Sequence, residues 1–200
     1  IHFGPEIHQI LTKWTGKYPQ MPGLVKLRSN SPPVVAGFIT EKSGYIHELE
    51  YGSYDEWKSK RIKSKFRNQI NQGFRNGLTI RISREKFDVL SFWKLHAKLR
   101  IGKFFEIPQP QYFFSNIVEE YFKRESGFLI SAYTKFGNLV GGIIVITSEG
   151  TAYYKYAASD PSTINLRPNN FLIDHLVRYL EEQGIYKLNF GFTGDSINYD

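Results

Sequence analysis

Residues 128–158, FLISAYTKFGNLVGGIIVITSEGTAYYKYAA, decide the fold. Three runs rich in β-branched and aromatic residues, 128–134, 139–147 and 151–158, are separated by the short segments KFGN and SEG, each with a glycine. Such segments are typical of hairpin connections. The stretch therefore predicts three consecutive antiparallel strands. Gly141 and Gly142 inside the second strand predict a bulge or a close approach of another part of the chain.

Helical and extended patterns alternate on both sides of this meander. Upstream, they predict strands at 34–40 and 45–51, a long helix from Ser53 or Asp55 to about Asn76, a strand at 78–82, a helix at 87–99, a loop at 100–111 and a helix from Phe113. Downstream, they predict a helix at about 169–183 and a strand at 186–191. Apolar residues recur at helical spacing in the first helix, at Ile62, Phe66, Ile70 and Phe74. The second helix has Phe87, Leu90, Trp93 (or Lys94) and Ala97 on one side. This order predicts a mixed α/β domain.

The composition excludes several classes of protein. Of the 200 residues 41% are hydrophobic and 16% aromatic, which excludes a disordered chain and provides the core of one domain. No apolar run approaches the roughly 20 residues of a membrane helix. The absence of cysteine excludes disulfides, thiolate metal sites and a cysteine nucleophile. The absence of cysteine is also compatible with the cytoplasm, where we expect the protein. Because the chain starts at Ile1 and its only methionine is Met21, we expect a fragment of a longer protein.

The positive charge is concentrated in one segment. Residues 58–84 hold nine of the 26 cations and none of the 19 acidic residues, in a chain of net charge +7. Such a segment attracts phosphate groups on nucleic acid, on a substrate or on a lipid. We therefore expect Lys63, Lys65 and Arg67 to bind substrate. The alternative is a solvated helix face.

Several motifs occur in a recognisable order. They are SKFRNQI (64–70), GLTIR (77–81), Leu95-His96 with the segment from Arg100 to Gln109-Pro110 and Phe113-Phe114, YYKYAASD (153–160), Pro168-Asn169-Asn170 and Asn189-Phe190-Gly191. In this order they resemble the Fem-type aminoacyltransferases, which have the GNAT (acyl-CoA N-acyltransferase) fold. The resemblance covers roughly residues 45–200. It implies an α/β, GNAT-like domain at 41–200, a mixed central sheet flanked by helices, with residues 1–40 as the remnant of a preceding lobe.

Two departures from this family bear on the donor and on the end of the domain. Ordinary acetyl-CoA enzymes of the fold carry an Arg/Gln-x-x-Gly-x-Gly/Ala loop whose backbone amides hold the pyrophosphate. Here NLRPNN (165–170) stands in its place. The donor is therefore left open between an aminoacyl-tRNA and an acyl thioester. The relatives usually continue to a Phe-Lys pair near the final strand, so we expect the domain to be truncated at Asp200.

Candidate catalytic residues lie on and just after the third strand of the meander, which the resemblance places beside the binding cleft. In a regular strand alternate side chains share a face, so we expect Tyr154 and Tyr156 on one face and Tyr153 and Lys155 on the other. Exposed amides of a splayed strand stabilise an oxyanion, and we assign Tyr154 and Tyr156 to that site. Asp160 is the candidate base or amine-orienting group. The alternatives are ordinary half-buried tyrosines and an Asp-Pro turn.

Other side chains are candidates for substrate binding. His96 and Arg100, four residues apart at a helix end, can meet an anionic acceptor, and His96 can also act as a base. Arg167 beside a helix start can hold a phosphate, and we expect it to line one cleft with Tyr154 and Tyr156. Lys155, Asn169 and Asn170 complete the set. Asn169 is alternatively a helix cap, His96 a structural histidine and Arg167 a surface arginine. The histidines show no metal-ligand spacing, so we expect no metal site.

Together these features predict an N-acyltransferase that moves an aminoacyl or acyl group from an activated donor to an amine, such as that of a cell-wall or cell-surface precursor. We expect no tightly bound cofactor, with acyl-CoA or aminoacyl-tRNA as co-substrate. We also expect no DNA partner and no membrane span, and leave open contacts with tRNA and with a lipid-linked substrate. The alternative is a non-catalytic GNAT-like module that binds RNA or a phosphorylated glycan precursor through the basic helix.

Overall fold

A computed structural model of the protein describes residues 44–194, in which six strands form one sheet in the order β1-β6-β5-β4-β3-β2. The strands are β1 (Gly44–Glu50), β2 (Thr79–Ser83), β3 (Gly127–Tyr133), β4 (Leu139–Ser148), β5 (Thr151–Ser159) and β6 (Lys187–Gly194). From β2 to β5 neighbours are antiparallel, whereas β5 and β6 are parallel. The predicted meander and mixed sheet are confirmed. The predicted strand at 34–40 and the segment 1–40 lie outside the described residues.

Within residues 44–194, four helices of ten residues or more cover the sheet. They are α1 (Ser64–Arg75), α2 (Lys86–Leu99), α3 (Gln111–Glu120) and α4 (Pro168–Glu182). α1 and α4 enclose a core with Ile130 and Leu176, and α2 and α3 enclose another with Phe92 and Ile144. We call these the α1/α4 face and the α2/α3 face. The chain divides into two compact units, Ile1–Ile46 with Thr193–Asp200, and His47–Phe192, and all four helices belong to the second.

The long helix predicted to reach about Asn76 is interrupted at Ile62, where the backbone is extended. In a continuous helix the side chains of Trp57 and Ile62 would point about 140° apart, because each residue turns by roughly 100°. The break lets both pack into the core of the α1/α4 face. The guanidinium of Arg67 donates to the carbonyls of Ser59 and Ile62 at 2.8 and 3.2 Å, which satisfies the end of the first segment.

α2 buries a different face from the predicted one, because Phe87 is exposed. Its buried residues are Asp88, Val89, Phe92, Leu95 and His96. The carboxylate of Asp88 accepts a hydrogen bond from Ser83 Oγ at 2.5 Å and forms an ion pair with Arg81 at 3.1 Å. This polar anchor turns the start of α2 towards β2. It therefore sets the rotation of the helix, which apolar periodicity alone does not show.

Gly141 and Gly142 confirm the predicted close approach of another part of the chain. A Cβ on Gly142 would lie 2.8 Å from the ring of Phe92 on α2, and one on Gly141 would lie 3.1 Å from Leu172 on α4. Both helices therefore pack directly against the backbone of β4. Since the two glycines pair with the last residues of β5, this packing brings α2 and α4 to the carboxyl end of β5.

A buried polar network joins α4 to the helical segment that precedes α1. Asp174 is 1% exposed, and its carboxylate accepts a hydrogen bond from the Tyr54 hydroxyl at 3.1 Å. Lys58 Nζ lies 3.1 Å from the same carboxylate and donates to the Tyr54 hydroxyl at 2.6 Å. The buried charge is thus matched by two donors, as burial requires.

Replacing Asp174 with Ala should lower the free energy of unfolding by about 2 kcal/mol, because the Tyr54 hydroxyl and the Lys58 ammonium lose their buried acceptor. Urea unfolding followed by circular dichroism measures this change. Glu182→Ala, at an exposed position of the same helix, is the matched control and should change it by less than about 0.5 kcal/mol. Equal losses in the two variants would show that the network does not stabilise the fold.

Candidate functional site

β5 and β6 are joined over three residues only. Residues 151–153 pair with residues 187–189, and within the described part of the chain no further β5–β6 pair follows. β5 nevertheless continues along β4 as far as Ser159. From Tyr154 onward, backbone N–H and C=O groups on one edge of β5 are therefore not taken up by β6. We call this unpaired region between the two strands, at the carboxyl end of β5, the gap.

A bulge in β5 changes the faces that its tyrosines meet. Tyr154 pairs with Val145 and Tyr156 with Ile144, so Lys155 is an inserted residue. One inserted residue reverses the alternation of side chains. Tyr154 packs on the α1/α4 face and Tyr156 on the α2/α3 face. The prediction that the two tyrosines share a face is therefore wrong, because it assumed a regular strand.

Tyr154 lies beside the gap. Its ring centre is 5.7 Å from that of Phe190 on β6, just beyond the last pair of the ladder. Burial raises the pKa of Tyr154 to about 12, so the hydroxyl keeps its proton at neutral pH. A neutral phenol can donate a proton to a leaving group. Lys155 is exposed at the bulge, with its Nζ 5.8 Å from the centre of the Tyr153 ring.

Tyr156 belongs to an aromatic cluster on the α2/α3 face. The ring centres of Phe114 and His96 lie 5.3 and 6.0 Å from its own. His96 is buried, its Nε2 lies 3.1 Å from Gln109 Oε1, and its Nδ1 has no hydrogen-bond partner among the described residues. Burial lowers the pKa of His96, which the Gln109 contact and the nearby backbone of Ala157 only partly oppose. The ring is therefore neutral at pH 7, the form that accepts a proton.

Arg100 already has partners. It begins the π-helical turn Arg100–Phe104, its guanidinium forms an ion pair with Glu106, and it lies 5.4 Å from the centre of the Phe104 ring. Because Glu106 matches its charge, the anion site predicted for His96 and Arg100 would require an anion that displaces this carboxylate.

Asp160 caps the turn that follows β5. Its carboxylate accepts hydrogen bonds from the backbone N and the Oγ of Ser162 at 3.0 and 2.7 Å, and Lys98 Nζ lies 3.4 Å away. The bonds from Ser162, together with a smaller effect of Lys98, lower the pKa of Asp160. Both oxygens that would accept a proton are therefore already engaged, one by Ser162 and the other by Lys98. The geometry thus favours the Asp-Pro turn over the predicted base.

The start of α4 lies at the same end of the sheet, on the α1/α4 face. Arg167 is the N-cap of α4, with a φ of 62°, and its Nε donates to Gln72 Oε1 at 3.3 Å. Pro168 is the first helical residue, so Asn169 is not the cap. Asn170 follows in the same turn. Arg167, Asn169 and Asn170 therefore lie together at a helix start, which favours anions. Of the two tyrosines expected to line a cleft with Arg167, only Tyr154 lies on this face.

Most of the basic segment has partners inside the protein. Five of its nine cations contact acceptors: Lys58 at Asp174, Arg61 at the Glu50 carbonyl, Arg67 at the carbonyls of Ser59 and Ile62, Arg81 at Asp88 and Arg84 at the Gly127 carbonyl. Arg67 therefore has a structural role that the sequence did not indicate. Lys63 and Lys65 are exposed around the start of α1 and stay candidates for substrate contact.

Two residues beside the candidate site were not predicted as functional. Gln109 contacts His96, and its carbonyl accepts a hydrogen bond from Trp93 Nε1 at 2.9 Å. Phe190 packs on Tyr154 across the gap. Both lie in motifs that carried the family resemblance, which was the available signal. A loop glutamine and a strand phenylalanine have no chemical signature of their own.

Other features of residues 44–194 do not add a site. No three His, Asp or Glu side chains in this range are arranged to hold a metal ion. No helix in this range is long and apolar enough to cross a membrane. A shallow depression of about 430 Å³ lies at the paired end of β5 and β6, lined by residues that include Glu50, Gly150 and Lys187. None of the candidate residues lines it.

Solved structures with a similar fold share little sequence with this chain. FemX superposes with a TM-score of 0.68 at 13% identity, over 84% of this chain and 57% of that protein. The C-terminal domain of a putative lysylphosphatidylglycerol synthetase from Agrobacterium fabrum gives 0.58 at 14% identity, over 76% and 48%. L-PGS from Bacillus licheniformis gives 0.55 at 16% identity, over 80% and 48%. The chain thus spans about half the length of these proteins, and the likeness shows a shared fold.

A search of curated protein sequences finds no match to this chain. Residues 60–199, more than half of the chain, match the sequence profile of the acetyltransferase (GNAT) domain. This match agrees with the mixed six-stranded sheet and with the gap beside β5. The chain therefore belongs to the acetyltransferase (GNAT) domain family.

Proposed function

We propose that this domain transfers an aminoacyl or acyl group from an activated donor to an amine, and that the reaction takes place in the gap between β5 and β6. The observation that carries the proposal is the edge of β5 from Tyr154 to Ser159, which pairs with no β6 residue in the part of the chain that the structure describes. β6 forms hydrogen bonds with β5 at residues 151–153. An extended donor in the gap can form equivalent hydrogen bonds with the edge of β5 beyond residue 153.

The bulge supplies a group that the reaction needs. The amine nitrogen attacks the donor carbonyl carbon, the bond to the leaving oxygen or sulfur breaks, the nitrogen loses a proton and the leaving group gains one. A bulge leaves backbone groups of the inserted residue out of the ladder. An N–H group near Lys155 can therefore stabilise the oxyanion of the tetrahedral intermediate.

We assign the two proton transfers, to the leaving group and from the amine, to side chains on opposite faces of β5. Tyr154 is the candidate donor of a proton to the leaving group, because its ring lies beside the gap against Phe190 and its hydroxyl is protonated at neutral pH. On the other face the neutral ring of His96, next to Tyr156, is the candidate acceptor of the proton from the amine. Asp160 is committed to its turn.

Two features support an aminoacyl donor over acetyl-CoA. α4 begins with Arg167 and Pro168, and proline has no N–H to offer a pyrophosphate. Among the similar structures are the C-terminal domain of a putative lysylphosphatidylglycerol synthetase and L-PGS, and the first of these names refers to an aminoacylated lipid. The amine acceptor is then a cell-wall or cell-surface precursor, as the resemblance to Fem-type enzymes implies.

The purified chain should transfer a labelled aminoacyl group from charged tRNA to a panel of amines, as measured by mass spectrometry. Tyr154→Phe should lower kcat/KM about 100-fold, since it removes a general acid but keeps the ring against Phe190. Tyr153→Phe is the matched control on the same strand, and its kcat/KM should stay near that of the parent chain. Equal losses in Tyr154→Phe and Tyr156→Phe would contradict the assignment to opposite faces. Tight tRNA binding without transfer from any donor would favour the binding module.

If tRNA contacts the start of α1, Lys63→Gln combined with Lys65→Gln should flatten the dependence of affinity on salt. The change expected for two lost phosphate contacts is about 1.4–1.8 in the slope of log K against log salt concentration. Filter binding at several salt concentrations measures it. Arg67→Gln should instead lower the melting temperature, because its guanidinium holds two carbonyls of the preceding segment. An affinity independent of salt would exclude phosphate binding by this surface.

Acetyl-CoA alone should bind weakly, with a Kd in the high-micromolar range or above, equivalent to about 5–6 kcal/mol at most. The physical reason is the start of α4, where Pro168 stands in place of amides that would hold a pyrophosphate. Isothermal titration calorimetry of the purified chain tests this. A Kd near about 1 μM would indicate an ordinary acetyltransferase.

A further inference from the structure

An apolar loop projects from the end of α2. Five large apolar side chains within residues 101–112 are exposed: Ile101, Phe104, Phe105, Ile107 and Tyr112. Phe105 and Ile107 are 91% and 95% exposed, close to their full surface. Single exposed apolar residues are ordinary, whereas a cluster of this kind marks an interaction surface. We call it the apolar loop.

Polar contacts, rather than burial, hold the apolar loop in its conformation. The N–H of Glu106 donates to the carbonyl of Arg100 at 3.1 Å, and the two side chains form an ion pair. Between them Phe105 has a φ of 55°, which is unfavourable for a residue other than glycine. The far end is anchored where Trp93 Nε1 donates to the carbonyl of Gln109 at 2.9 Å. A defined backbone therefore presents apolar side chains that contribute nothing to the core.

Cations lie within the apolar loop and in the helix that precedes it. Residues 94–107 contain four cations, Lys94, Lys98, Arg100 and Lys103, and one acid, Glu106. Lys98 and Arg100 pair with Asp160 and Glu106, so the proposal relies on Lys94 and Lys103. The ammonium of Lys103 lies 5.2 Å from the centre of the Phe104 ring. Aromatic and aliphatic side chains enter the boundary between lipid headgroups and acyl chains, while nearby lysines and arginines contact anionic headgroups. The loop has both components in one short segment.

We propose that the apolar loop docks this protein on an anionic lipid bilayer, with Phe105 and Ile107 inserted below the headgroups. A bilayer fits better than a protein partner because the apolar side chains protrude from a loop tip and the surrounding charge is positive. The loop also carries Gln109, which contacts His96. Docking therefore places the α2/α3 side of the candidate site near the membrane surface. The inference rests on the loop alone and does not depend on acyl transfer.

The test is co-sedimentation of the 200-residue chain with phosphatidylcholine vesicles, with and without about one third phosphatidylglycerol. The parent chain should bind the anionic vesicles more strongly. Phe105→Asn combined with Ile107→Gln should lower the partition coefficient about tenfold or more, because each inserted side chain contributes apolar burial. Asparagine is chosen at position 105 because it tolerates a positive φ.

Two matched control variants replace an exposed phenylalanine outside the apolar loop. Phe87→Asn at the start of α2 and Phe136→Asn in the β3–β4 turn each replace a side chain that is 79% exposed. Neither should alter vesicle binding. Lys94→Gln combined with Lys103→Gln should reduce the preference for phosphatidylglycerol, and soluble glycerol phosphate should not displace the parent chain from vesicles.

Several outcomes would overturn the proposal. One is that the Phe105/Ile107 variant and the parent chain partition equally onto vesicles, and another is that Phe136→Asn loses as much vesicle binding as that variant does. A third is that the parent chain binds neither kind of vesicle. Displacement of the parent chain by glycerol phosphate would indicate a headgroup site instead. Analytical ultracentrifugation measures whether the chain forms a dimer. A dimer of the parent chain that the Phe105/Ile107 variant abolishes would make the loop a contact between copies of the chain instead.

Discussion

Within residues 44–194 the ladder between β5 and β6 has only three residue pairs, and the proposed chemistry of this domain depends on this short pairing. Had the parallel pairing continued to Ser159, every backbone group on that edge of β5 would be taken up within the sheet. Because it stops at Tyr153, the remaining edge is available to an extended ligand. The rings of Tyr154 and Phe190 then meet where the ladder has ended, so an apolar contact replaces the hydrogen bonds between the strands.

The packing around the gap follows from two glycines and one inserted residue. Gly141 and Gly142 let α4 and α2 approach the backbone of β4 from opposite faces, and any Cβ there would lie about 3 Å from a helix side chain. The two helices therefore flank the end of β5. The inserted Lys155 directs Tyr154 to one helix pair and Tyr156 to the other. One neutral phenol thus lies on each face of the sheet.

Several cationic side chains of this protein contact acceptors inside the fold, and several large apolar side chains are exposed, which is the reverse of the usual distribution. Much of the basic segment serves the fold, since Lys58, Arg67 and Arg84 contact acceptors inside the protein. In contrast, the segment that looked like a connecting loop exposes its largest apolar side chains. A count of cations therefore overstates the surface available for phosphates. A count of apolar residues overstates the core, because Phe105 and Ile107 lie outside it.

The sequence by itself determined the strands of the meander, the helices and the family, because these depend on periodicity, turn residues and motifs among near neighbours. It did not determine the bulge at Lys155, the early end of the β5–β6 ladder, the rotation of α2 or the break at Ile62. Those features are settled by contacts between distant parts of the chain. Lys58 and Asp174 are 116 residues apart, and Gln72 and Arg167 are 95 apart. Only the tertiary structure decided which candidate side chains face the gap, because one inserted residue reverses a strand's alternation while leaving its composition unchanged.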